Sequence, residues 1–85
     1  MNFQFPQYRK LKNGLSYYHL ENNAVLHEAQ MVGQRWTIHR LEAKILPERN
    51  LVSDLLHCID GAYEVIDAST FNDFITHCEA HLKRF

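Results

Sequence analysis

Asn13-Gly14 is the feature that most constrains this chain. Both residues tolerate positive φ, so the pair suits the two-residue turn whose twist matches its flanking strands. Aromatic and β-branched residues lie on either side of it, and two further turn dipeptides follow, Asn22-Asn23 and Gly33-Gln34. Three such turns define a four-stranded antiparallel meander over roughly 4–12, 15–21, 24–32 and 35–45.

After residue 45 the apolar spacing changes from strand-like to helical. Pro47 suits a first helical turn, Leu51, Val52, Leu55, Leu56 and Ile59 form one stripe, and Gly61 is the expected C-terminal cap of a helix over 47–60. Tyr63 to Ile66 reads as a short strand or an extended linker. Thr70 is the expected N-cap of a second helix over 70–84, with Phe71, Phe74, Ile75, Cys78, Leu82 and Phe85 on its apolar side. The expectation is one α+β domain over 1–85: a meander followed by two helices packed on one face of the sheet.

Two-residue turns fix register, and register assigns faces. Lys10 is placed opposite Tyr17 and Tyr8 opposite His19; Leu20 opposite Val25 and Tyr17 opposite Glu28; Met31 opposite Trp36 and Glu28 opposite His39. One face then carries Phe5, Leu11, Tyr18, Leu20, Val25, Ala29, Met31, Trp36 and Ile38, a surface for both helices. The other carries Tyr8, Leu15, Tyr17, His19, Leu26, Glu28, Gln30, Thr37, His39 and Leu41 with nothing left in the sequence to cover it. Tyrosines and aliphatic residues among polar groups are typical of contact surfaces, so these ten are the expected interface of a homodimer that packs sheet to sheet.

Charge narrows the partners. Nine Lys+Arg stand against ten Asp+Glu, a net charge of −1, which gives no basic excess for binding nucleic acid. No apolar run approaches the roughly 18 residues of a membrane span, and the opening MNFQFPQYRK has no signal-peptide core. Two cysteines twenty residues apart, on apolar helical positions, point to a reducing, cytoplasmic setting.

Three constellations carry chemical potential. Arg9, His27 and Arg40 fall in one row on the helix-covered face, where they can line a pocket for a small anionic ligand. Lys10, Tyr17, Glu28 and His39 form another row with acid–base potential, but a flat sheet has no pocket to exclude water, and no catalytic motif accompanies them. Asp73, His77 and His81 recur one turn apart, yet spread over about 12 Å at 1.5 Å per residue, too far for one metal. The expectation is a non-catalytic interaction module without metal or cofactor, and the runner-up is an anion-binding domain.

Overall fold

The computed structural model describes residues 3–33 and 35–82. Its strands are β1 (Gln7–Leu11), β2 (Ser16–Leu20), β3 (Val25–Val32), β4 (Arg35–Glu42) and β5 (Tyr63–Ile66). The helices are α1 (Leu46–His57), between β4 and β5, and α2 (Ala68–Leu82) at the end. The four-stranded meander followed by two helices is therefore present, in the α+β class. The segment Tyr63–Ile66 completes the sheet as a fifth strand: it pairs antiparallel with β1, giving the order β4-β3-β2-β1-β5.

The first and third turns set the expected pairings. Lys10 lies opposite Tyr17, and Tyr8 opposite His19. Met31 lies opposite Trp36, and Glu28 opposite His39. Gly14 (φ 75°) and Gly33 (φ 63°) take the left-handed conformations these turns need, while Gln34 lies outside the described residues. The middle hairpin differs by one residue, for Leu20 pairs with Leu26 rather than Val25, and Tyr17 with Ala29 rather than Glu28. The cause is local: the Asn22 side-chain oxygen accepts the N–H groups of both Ala24 (2.8 Å) and Val25 (2.9 Å), while the Glu21 N–H donates to the Val25 carbonyl at 2.9 Å. Ala24 is thereby drawn into the loop.

A one-residue shift moves every later side chain to the opposite face. Tyr18, Leu20, Leu26 and Ala43 form the core with Val52 and Leu55 of α1, and Phe5, Leu41, Leu51, Leu56 and Tyr63 surround it. On the other face α2 lays Phe74 flat on Tyr17, with ring centroids 3.7 Å apart and planes 14° apart, and edge-on to Trp36 at 4.8 Å. Phe71 packs against Tyr8 at 5.5 Å and His19 at 5.6 Å. The helices thus lie on opposite faces rather than together on one, because the shifted register leaves each face an apolar patch that needs a cover.

Helix ends also follow side-chain chemistry. Glu48 reaches back to accept the N–H groups of Lys44 and Ile45 at 3.0 and 3.2 Å, half of a capping box whose other half Ile45 has no oxygen to supply. Cys58 (φ 48°) ends α1 in the left-handed conformation, so Gly61 closes the short 3₁₀ turn Ile59–Gly61 instead of the helix. Asp67, not Thr70, caps α2: its carboxylate accepts the Thr70 N–H at 2.8 Å, and the Thr70 hydroxyl, followed by this N–H, holds the carboxyl below its usual pKa. Phe71 and Cys78 are buried on the α2 stripe; the side chain of Leu82 and all of Phe85 lie outside the described residues.

Burial on both faces has a direct test. Phe74→Ala should lose about 3 kcal/mol of stability in urea denaturation, by removing the ring between Tyr17 and Trp36. Tyr17→Asp, which leaves a protein with an open Tyr17 face intact, should here destabilise at least as much.

Candidate functional site

The ten residues expected to form one contact face are divided between two. Leu26 (0% exposed) and Leu41 belong to the core that α1 builds. Tyr8, Tyr17 and His19 stack against aromatic rings of α2 or one another. Leu15, exposed, follows the alternation of Tyr17 and His19 from the position immediately before β2. Glu28, Gln30, Thr37 and His39 do stay together, as the cross-strand pairs Glu28–His39 and Gln30–Thr37 on the α1 side of the sheet. None of these four belongs to the α1 core, and all are partly or fully exposed.

The anion row is not assembled either. Arg9, only 4% exposed, points to the α1 face, where its Nε donates to the Leu55 carbonyl at 2.9 Å and Nη2 to that of Leu56 at 3.4 Å. Its Nη1 donates to the Tyr8 carbonyl at 2.8 Å and to Gln7 Oε1 at 3.0 Å. The cation sits where the last carbonyls of α1 concentrate negative potential, which satisfies it without a carboxylate. His27 and Arg40 pair with each other across β3 and β4 on the opposite face, where His27 is 3.4 Å from Glu21 and Arg40 2.8 Å from Glu42. The same shift separates the acid–base row, leaving Lys10 and Tyr17 on the α2 side and Glu28 and His39 on the α1 side. Among the described residues no group of three His, Cys, Asp or Glu side chains can hold a metal ion; the side chain of His81 lies outside them.

Removing the Arg9 charge should expose its importance to the fold. Arg9→Met removes the guanidinium donors from the Leu55 and Leu56 carbonyls, leaving Leu55 with the Cys58 N–H at 3.3 Å, and should cost roughly 2–3 kcal/mol in chemical denaturation. Arg9→Lys should recover only part of this, since one ammonium does not reproduce a fork that reaches four acceptors.

The shifted register also creates an arrangement the sequence reading missed. Tyr8, His19 and His27 form a stacked row, with ring centroids 4.7 and 5.2 Å apart, and Glu21 at its end. Burial, and then the neighbouring His27 charge, lower the pKa of His19. Protonating His19 is therefore harder in the folded state, so its stabilising contribution is complete above its ordinary pKa of about 6.5 and is lost as pH falls below that value. The urea midpoint should drop between pH 7.5 and 5.5, and His19→Phe should flatten the dependence over that interval.

Strand β4 is the remaining feature. It is eight residues long, Arg35–Glu42, and stands at the edge of the sheet with, among the described residues, only β3 as a neighbour. All eight residues pair in continuous register with β3, so no bulge twists the strand away, and it contains neither Pro nor Gly. Ile38 is 45% exposed at its centre, on the side that also carries Trp36 and Arg40. The opposite edge, β5, has only four residues. Comparison with known proteins adds no relative: no family model, curated protein or solved structure matches the chain. Among the described residues, no helix is long and apolar enough to cross a membrane.

Proposed function

We propose that this protein is a small, non-catalytic interaction module that forms a homodimer through the free edge of β4 and the exposed β3–β4 surface beside it. The observation that carries this reading is the open edge itself. A long, regular edge strand presents unpaired N–H and C=O groups to any second strand, and proteins normally blunt such edges with Pro, bulges or brevity. β5 is brief; β4 has none of these devices. Charge on Arg35, Arg40 and Glu42 discourages indiscriminate pairing while leaving the backbone available.

The strand is self-complementary about Ile38. In an antiparallel pair related by a two-fold axis, Ile38 meets Ile38 of the second copy, and Trp36 lies opposite the second copy's Arg40, a cation over an aromatic ring. On the α1 side, Thr37 meets His39 at the joint, with the half-buried Glu28 and Gln30 beside them on β3. This pairing extends one sheet across both copies, in place of the face-to-face contact first expected from the sequence. Cys58 and Cys78 are both free thiols, which suits a reducing compartment, and the cytoplasm is the proposed location.

Size-exclusion chromatography with light scattering tests the reading. A dimer is expected at tens of micromolar. Ile38→Asp should convert it to a monomer with unchanged circular dichroism, because the substituted side chain is already half exposed. A wild-type protein that stays monomeric at high micromolar concentration overturns the proposal. The alternative of an anion site built on Arg9, His27 and Arg40 has no comparable support, since those side chains point to opposite faces and already have partners.

A further inference from the structure

A separate hollow lies on the α1 side, between the segment leading into β1, the β2–β3 loop and the outer flank of α1. It has a volume of about 450 Å³ and is lined by Phe3, Phe5, Asn23, Arg49, Val52, Ser53, Leu56 and His57. That volume lies within the range of roughly 300–1,000 Å³ usual for small-molecule sites.

Helical spacing organises its wall. Val52 and Leu56 are one turn apart and form an apolar stripe, with Val52 only 4% exposed, and Phe5 packs onto the same core. Arg49, Ser53 and His57 run alongside at the same spacing as a polar stripe. At the far end the Phe3 ring stands edge-on to the His57 imidazole at 5.4 Å, and His57 Nδ1 donates to the Ser53 carbonyl at 2.8 Å, which fixes the orientation of that ring. No Asp or Glu lines the hollow, and among the described residues no carboxylate lies within ion-pairing distance of Arg49.

We propose that this hollow binds a small organic acid with an apolar body, a medium-chain fatty acid being the simplest example, with its carboxylate on Arg49 and its chain over Val52 and Leu56 between Phe3 and Phe5. The direction of the ligand follows from charge. Arg49 lies in the N-terminal half of α1, where the helix favours an anion, and His57 lies at the C-terminal end, where the last carbonyls oppose one. The guanidinium can grip a carboxylate through two parallel N–H bonds. Asn23, at the tip of the β2–β3 loop, supplies an amide at the rim. The site is independent of the β4 edge, so it stands or falls separately from the dimer.

The test is a titration of the full chain with sodium octanoate, followed by amide chemical shifts. Saturable shifts at Asn23, Ser53 and Leu56 are expected, and neither acetate, which lacks the chain, nor octanamide, which lacks the charge, should produce them at the same concentrations. Arg49→Gln should weaken octanoate binding about tenfold, and Ser53→Phe, which fills the hollow from an exposed helix position, should abolish it; circular dichroism should remain unchanged in both. The absence of saturable shifts, equal binding of octanamide, or shifts that map away from α1 and the β2–β3 loop each overturn the proposal.

Discussion

The bonds that Asn22 makes to its own loop set the arrangement of everything downstream. By accepting the N–H groups of both Ala24 and Val25, its side chain stabilises a three-residue connection in which Leu20 and Leu26 face each other. Side chains alternate along a strand, so that pairing commits Leu20, Leu26 and Leu41 to one face and His19, His27, Ala29 and Trp36 to the other. Neither face is then polar enough to stand open across its whole area. Each takes one helix: α1 closes over the leucines, and α2 places Phe71 and Phe74 among Tyr8, Tyr17, His19 and Trp36.

This dependence explains what was legible in the sequence. Gly14 and Gly33 take positive φ at defined positions, and the register of both hairpins followed correctly from the turns that contain them. Asn22-Asn23 carries no such obligation. An Asn side chain can act inside a two-residue turn or, as here, satisfy backbone donors in a longer loop, and the residue pair looks the same in either case. The distinction lies in whether Leu26 or Val25 gains more from burial opposite Leu20, which depends on a helix more than twenty residues further on. The same limit applies to the helix caps: Asp67 and Thr70 are both competent N-caps, and the strand pairing of Tyr63–Ile66 with β1 decides where the chain is free to turn.

The candidate sites were affected more than the fold, because a site needs side chains to converge whereas a fold class needs only elements. One residue of slip leaves the order of strands unchanged, yet it removes Arg9 from His27 and Arg40 and separates Tyr17 from Glu28. It also brings Tyr8, His19 and His27 into a row that no two-residue-turn register produces. The polar stripe of Arg49, Ser53 and His57 has helical spacing but was not singled out in the sequence, because its importance depends on Phe3 and Phe5 returning over α1, a tertiary contact without a local signal.

Arg9 connects these parts. A guanidinium in a small core is tolerable only if its donors find acceptors, and the end of α1 supplies them in the Leu55 and Leu56 carbonyls. The contact fixes the C-terminal end of α1 over β1, and β5 then follows directly after the 3₁₀ turn to occupy the outer side of that strand. β1 is thereby paired on both sides, and the Lys10–Glu64 contact at 3.4 Å reinforces its join with β5. The last described strand is thus spent on the short edge. Among the described residues β4, the longest strand together with β3, keeps a free backbone edge, and the proposed dimer would use it because a second copy of the same strand matches it in length and spacing.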